Sequence, residues 1–140
     1  MTPDQELQKL RSGGLRPADA GLDELVTFVA GRAASTLERV REVLLPIVRL
    51  SSEDWPALSE WPARLPEWFL QQCVDDALLR DCVPDRWSLR GWIYWLQPER
   101  RKWRWSGAWA GEDELRIQLL VLERPYLRGA LEWLLKAAAV

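Results

Sequence analysis

The sequence predicts an α+β fold in which helices come first and a three-stranded antiparallel sheet follows. Two observations support this prediction. Apolar residues recur at helical spacing in the first half of the chain, and they alternate with polar residues after Arg86. Helices followed by a run of strands are typical of antiparallel pairing. With 140 residues the chain can bury one hydrophobic core, so we expect a single domain over residues 1–140.

Two helices are predicted at the start of the chain. Residues 4–11 form a short helix, and the glycine pair that follows makes residues 1–14 a flexible arm. Apolar residues at three- and four-residue spacing then predict a long amphipathic helix over residues 22–50. Gly31 leaves open whether this segment is one helix or two, and Pro46 should kink or end it.

A degenerate repeat of tryptophan and proline separates the long helix from the next one. Each proline restricts the tryptophan before it to extended geometry, so residues 54–65 should form short turns and broken helix. Pro66 suits the first turn of a helix, and a further helix is predicted over residues 66–80.

The second half of the chain predicts a meander closed by a helix. Period-two patterning and turn residues place three strands at about residues 87–96, 101–110 and 114–122. Leucines at helical spacing then predict a C-terminal helix over residues 126–139.

The register of this meander decides what the stretch RRKWRW, residues 100–105, presents to solvent. If Trp95 lies opposite Trp103 and Ile93 opposite Trp105, one face of the sheet is apolar throughout. That face also takes Trp109, Leu115, Ile117, Leu119 and Val121. The opposite face combines aromatic and basic side chains and is the candidate binding site: Arg90, Trp92, Tyr94, Lys102, Arg104 and Arg116. Whether it is exposed or covered by a helix stays open.

The residue composition favours a non-catalytic protein-interaction module, such as an adaptor, an inhibitor or an immunity-type protein. The sequence has ten tryptophans and no histidine, so the commonest general base is missing. Most of the tryptophans must be at least partly buried, but one or two left outside would suffice for an interface with another protein. Trp55, Trp61 and Trp68 form a candidate second interaction surface.

Two alternatives remain open. The basic-aromatic face could stack the bases of a single-stranded nucleic acid, although a pI near 5.3 is unusual for such domains. A carboxylate-dependent enzyme such as a glycoside hydrolase would use acidic clusters beside tryptophans. The two acidic clusters are Asp75, Asp76, Asp81 and Asp85, and Glu112, Asp113 and Glu114.

No cofactor, metal or membrane partner is expected. The two cysteines, Cys73 and Cys82, are too few for a zinc site or a disulfide framework, and no glycine-rich phosphate loop is present. The polar start of the sequence has no apolar signal-peptide core, and no window is apolar enough to span a membrane. We therefore expect a cytoplasmic protein.

Overall fold

The computed structural model describes residues 1–17, 21–75 and 86–140, and it has the predicted α+β architecture. The three strands form one antiparallel sheet in the order β1-β3-β2. Among the described residues, no helix combines the length and the apolar character that a bilayer-spanning helix needs. The elements, in chain order, are α1 (Pro3–Ser12), β1 (Asp23–Phe28), α2 (Ala33–Leu50), a 3₁₀ helix (Leu58–Ala63), α3 (Glu67–Gln72), α4 (Leu89–Leu96), β2 (Trp103–Ala110), β3 (Glu114–Val121) and α5 (Gly129–Ala138).

Strand β1 lies where the sequence predicts a helix, so the interpretation of residues 22–50 as helical throughout is wrong. Gly31 adopts a φ of 66°, a left-handed conformation that turns the chain from β1 into α2. The run Val26, Thr27, Phe28 consists of residue types that favour strands. Their apolar spacing over so short a stretch fits both a helix face and a strand, and pairing with β3 decides for the strand.

Helix α2 continues past Pro46, which the sequence predicts as a kink or an end. The proline lacks an N–H and so removes one backbone hydrogen bond from the helix. The last turn is nevertheless held in place because Ile47, Val48 and Leu50 are buried beyond it. Packing of this turn against the core therefore outweighs the lost bond.

Helix α4 replaces the first strand of the predicted meander, so the prediction for residues 87–96 is wrong. Ser88 caps the helix, because its hydroxyl accepts a hydrogen bond from the Gly91 N–H at 3.1 Å. Trp92, Ile93 and Leu96 are buried on one helical face. The alternation of aromatic residues suggested a strand, whereas the spacing of these three residues is helical.

Helix α1 covers all of the predicted residues 4–11, whereas the helices predicted over residues 66–80 and 126–139 are present but shorter. The tryptophan-proline segment forms turns and the 3₁₀ helix, as expected. Helix α3 ends at Gln72, and Val74 instead forms an isolated bridge with Ser88; residues 76–80 of the predicted helix lie outside the described residues. Helix α5 begins at Gly129 rather than at Tyr126.

An aromatic cluster centred on Phe69 joins the helices in the core. The Phe69 ring centroid lies 4.6 Å from that of Trp92, 5.6 Å from that of Trp133 and 6.0 Å from that of Trp68. Such tilted and edge-on arrangements are favourable for aromatic pairs. The cluster connects α3, α4 and α5 on the helical side of the sheet.

A buried ion pair fixes helix α1 to the start of β2. Glu6 and Arg101 are 0% and 1% exposed, and the Arg101 guanidinium donates two hydrogen bonds to the Glu6 carboxylate at 2.6 and 2.9 Å. The backbone N–H of Trp105 donates a third, at 2.7 Å. The prediction of a flexible arm over residues 1–14 is therefore wrong for α1, because Arg101 anchors the helix through Glu6. This contact is not visible in the local sequence, since the two residues lie far apart along the chain.

We predict that Arg101→Met destabilises the fold by about 3–5 kcal/mol, because it leaves the Glu6 carboxylate buried without its cation. The measurement is urea unfolding of the variant and the parent chain. Arg49→Met, at an exposed position on α2, is the matched control and should change the stability by less than about 0.5 kcal/mol. Equal effects of the two substitutions would contradict the assigned role of the ion pair.

Candidate interaction surface

A β-bulge determines which tryptophans of β2 face solvent. Trp103 and Trp105 lie opposite Val121 and Leu119 and are 2% and 0% exposed, which confirms them as core residues. The register then shifts between Trp105 and Gly107, so that Ser106 is an extra residue. Beyond the bulge Trp109 lies opposite Arg116 and is 47% exposed, so its predicted place in the core is wrong.

One face of the sheet carries an exposed apolar row interrupted by a single cation. Val26 of β1 pairs with Arg116 of β3, which pairs with Trp109 of β2, so the three side chains are neighbours across the sheet. Val26 is 54% exposed and Phe28, two residues further along the same strand face, is 75% exposed. We define the outer face as Glu24, Val26, Phe28, Trp109, Glu114 and Arg116.

The charge of Arg116 is compensated within the outer face. Its guanidinium bonds to both carboxylate oxygens of Glu114, at 3.1 and 3.2 Å, and to Glu24 at 3.2 Å. The hydrogen bond and the charge of Glu114 raise the pKa of Arg116 above its ordinary value. Because two carboxylates share one guanidinium, the outer face is not a cationic strip for phosphates.

The segment after α1 covers the far end of this face. Gln118, the next outward residue of β3 after Arg116, exchanges hydrogen bonds of 2.7 and 2.9 Å with the backbone of Arg16. Gly107, opposite Gln118, must be glycine because a Cβ there would lie 2.2 Å from the Gly14 carbonyl oxygen. The outer face is therefore open around β1 and closed beside Gly107.

Three of the predicted binding residues lie on α4 and not on a sheet face. Trp92 is buried in the core, where its indole Nε1–H donates to the Ala130 carbonyl at 3.0 Å. Tyr94 is exposed, with the Arg100 guanidinium 4.0 Å from its ring centroid, and Arg90 is exposed on the same helix. The shared face predicted from strand pairing does not form, since residues 89–96 are helical.

Two further predicted cations are engaged elsewhere. Lys102 forms an ion pair with Glu123 at 3.4 Å, and the Arg104 side chain folds back to donate to the carbonyls of Arg101 and Trp103 at 2.6 and 3.1 Å. Burial lowers the pKa of Arg104 below its ordinary value. The register places Arg104, opposite Leu120, on the same side of the sheet as Arg116, as predicted, but of the six predicted residues only Arg116 belongs to the exposed outer face.

The predicted second surface is largely core. Trp61 is buried, with its ring centroid 4.8 Å from that of the half-buried Trp55, and Trp68 lies beneath the Arg39 guanidinium at 5.1 Å. Trp55 does line a groove of about 430 Å³ together with Arg90 and Tyr94. This groove therefore combines Trp55 of the predicted second surface with Arg90 and Tyr94 of the predicted basic-aromatic face.

A smaller apolar cavity lies between α4 and the start of α5. It has a volume of about 210 Å³, and Trp87, Trp95, Trp103 and Leu127 form most of its wall. Its described lining residues carry no charged group, so this part of its wall is apolar.

Two carboxylates of the predicted acidic clusters, Asp113 and Glu114, and the Cys73 thiol take part in structural contacts. Asp113 accepts a hydrogen bond from the Gly31 N–H at 2.6 Å, and Glu114 holds Arg116. In the described ranges no three acidic or cysteine side chains lie close enough to hold a metal ion. Burial raises the pKa of the Cys73 thiol to about 11, so it is protonated at neutral pH. Asp76, Asp81, Cys82 and Asp85 lie outside the described residues.

Val26, Phe28 and Trp109 are exposed on the outer face, and the sequence does not predict any of them there. Val26 and Phe28 were assigned to a helix, although the strand-forming residues around them and Gly31 beyond them were a signal for a strand. No comparable signal marked Trp109, because the bulge at Ser106 follows from three-dimensional pairing with β3.

A polar cluster anchors the first residue of β1. The Asp23 carboxylate accepts hydrogen bonds of 2.5 Å from both Arg124 and the Tyr126 hydroxyl, and Arg128 donates to that hydroxyl at 3.2 Å. The hydrogen bond from Arg124, followed by the one from Tyr126, lowers the pKa of Asp23 below its ordinary value of 3.8. The stabilising contribution of Asp23 is therefore complete above pH 3.8 and is lost as the pH falls through the lowered pKa.

We predict that Asp23→Asn lowers the free energy of unfolding at neutral pH and that the difference from the parent chain closes in acid. Urea unfolding at a series of pH values measures this difference. Tyr126→Phe, which removes one bond to Asp23 and keeps the two from Arg124, should act in the same direction by a smaller amount. Parallel curves for Asp23→Asn and the parent chain would contradict the assignment.

Comparisons with protein-family models, with curated proteins and with solved structures found no match to this chain. The role of the outer face is therefore inferred from the chemistry of its own residues.

Proposed function

We propose that the protein is a non-catalytic interaction module that binds another protein through its outer face. The observation that supports this proposal is the exposed row of Val26, Arg116 and Trp109, extended by Phe28. Tryptophan and arginine are the residues most enriched at the energetic centres of protein interfaces. A folded chain gains nothing from leaving these apolar side chains in water, so a partner surface that covers them explains their position.

The electrostatics of the outer face favour a protein partner over a nucleic acid. Arg116 is already bonded by Glu24 and Glu114, so its charge is not available to neutralise a phosphate. An arginine paired across the sheet with a valine and a tryptophan instead suits a partner that offers apolar contact and a hydrogen-bond acceptor. A cytoplasmic location is part of the same proposal, and the low cysteine content supports it.

We predict that Trp109→Ala weakens binding to the protein partner by about 2 kcal/mol or more, because it removes the central indole of the row. The partner is identified by its recovery with the tagged parent chain, and its Kd for the parent chain and for each variant is then measured by calorimetry. Trp95→Ala, at an exposed indole on α4, is the matched control and should leave the Kd within about threefold.

One outcome would contradict the proposal. If the recovered partner binds the double variant Phe28→Ala and Trp109→Ala as tightly as it binds the parent chain, the outer face is not the interface. Unchanged thermal unfolding of the variants ensures that any loss of binding is not caused by unfolding.

One observation favours the nucleic-acid alternative, namely the groove lined by Trp55, Arg90 and Tyr94. Arg100 stacks on Tyr94 at its rim, so the groove combines aromatic rings with cations. Such combinations stack bases and contact phosphates in single-stranded nucleic-acid binders.

A titration with mixed-sequence single-stranded DNA and RNA separates the two functions. We expect the tryptophan emission to stay constant at low salt, because the outer face lacks free cations. Quenching that weakens steeply as salt rises, and that Arg100→Ala reduces, would instead place nucleic acid in the groove and overturn the protein-binding proposal.

A further inference from the structure

The two edges of the sheet differ in how their backbone groups are satisfied. At the β2 edge, the Trp105 N–H donates to Glu6 at 2.7 Å and the Ala108 N–H donates to the Gly13 carbonyl at 3.0 Å. The Trp103 carbonyl accepts from Arg101 and Arg104, both at 3.1 Å. The segment from α1 to Gly14 therefore closes this edge to any further strand.

The ladder between β1 and β3 shows which backbone groups of β1 point away from the sheet. The Val29 N–H donates to the Asp113 carbonyl at 2.6 Å, and this pair continues the β1–β3 register. In an antiparallel ladder alternate residues bond to the same neighbour, so Asp23, Leu25 and Thr27 bond to β3. The N–H and C=O groups of Glu24, Val26 and Phe28 therefore point to the free edge.

Contacts of β3 confirm this alternation independently. The Glu114 carbonyl accepts from Gly111, and the Leu122 N–H donates to Lys102, so even-numbered residues of β3 bond to β2 and odd-numbered ones to β1. In the part of the chain that the structure describes, no backbone or side-chain group bonds to the outward amides and carbonyls of β1. These three residues also place their side chains on the outer face.

The charges around β1 indicate the chemistry of a strand that would occupy this edge. Acidic side chains outnumber basic ones beside Glu24, Val26 and Phe28, with Glu24, Asp113 and Glu114 against Arg116, whereas Arg124 and Arg128 lie at the Asp23 end of the strand. Between these acids lie the exposed apolar side chains Val26 and Phe28. A complementary strand would alternate apolar and basic residues. Its apolar side chains would pack on Val26 and Phe28, and its basic side chains would contact the carboxylates.

A second copy of the chain is a poorer occupant. β1 carries two acidic residues and no basic one, so a copy would add negative charge to an acidic edge.

We propose that an extended segment of the partner protein, alternating apolar and basic residues, adds as a fourth strand to the free edge of β1. This inference rests on the proposed function and names how the partner is held. Backbone hydrogen bonds to Glu24, Val26 and Phe28 supply the attachment, and the outer face supplies the side-chain selectivity.

Amide hydrogen exchange followed by NMR tests the inference on the intact chain. The probe is a synthetic peptide of alternating valine and lysine, and its control is a peptide of alternating valine and glutamate. We expect the lysine peptide to slow exchange of the Glu24, Val26 and Phe28 amides by about tenfold or more. The Leu25 and Thr27 amides, already bonded to β3, should change little, and the glutamate peptide should have no effect.

Several results would overturn this inference. One is lysine-peptide binding without slower exchange at the three outward amides, and another is equal protection by the glutamate peptide. Absence of binding by the lysine peptide at millimolar concentration would also overturn it. Protection of the same amides without peptide, growing with protein concentration, would show that a second copy occupies the edge.

A substitution pair tests the backbone contact separately from the side chains. Val26→Pro removes an outward N–H but no bond to β3, and proline is tolerated at such edge positions. It should weaken peptide binding about tenfold or more, whereas Val26→Thr, which keeps the N–H, should weaken it less. Equal binding by the two variants would contradict strand addition. If these tests fail while Trp109→Ala still weakens the natural partner, the edge is excluded and the interaction module is retained.

Discussion

The buried ion pair between Glu6 and Arg101 is the interaction on which the rest of the architecture depends. Two charges are removed from water, so the pair stabilises the fold only while its neighbouring donors and acceptors stay in place. These neighbours come from two other parts of the chain: the Trp105 amide and the Trp103 carbonyl in β2, and the Ser51 hydroxyl just after α2, which lies 3.3 Å from the guanidinium. The N-terminal helix is therefore an obligatory part of the fold.

The ion pair also explains why the sheet is asymmetric. By holding α1 in place, it brings the following segment across Gly107 and against the edge of β2, while nothing equivalent reaches β1 among the described residues. Open edges invite indiscriminate pairing, and proteins limit this risk with short strands and charged side chains. β1 has only six residues and carries Glu24 on its outer face, so it meets both conditions. Its open edge is thus compatible with selective binding.

The sequence predicted the parts of the fold that depend on local periodicity over long stretches. Residues 103 and 105 were placed in the core together with Leu115, Ile117 and Leu119, and all five are buried there. The predictions are wrong where a short segment fits both the helical and the strand spacing of apolar residues, as in β1 and α4. Contacts with the rest of the fold then determine which of the two structures forms. The candidate site depended in part on these short segments, so Arg104 and Arg116 share one side of the sheet as predicted, whereas Arg90, Trp92 and Tyr94 lie on α4.

The bulge at Ser106 has a consequence for how this surface could change. In an uninterrupted strand Trp109 would share the side of Trp103 and Trp105 and be enclosed with them. One additional residue turns the side chains that follow it in the strand to the opposite side of the sheet. The Trp109 indole therefore faces solvent, although no residue has been substituted. A single-codon insertion or deletion in β2 can therefore move this indole between the core and the outer face in one step. The surface that the sheet presents is thus encoded in strand length as well as in residue identity.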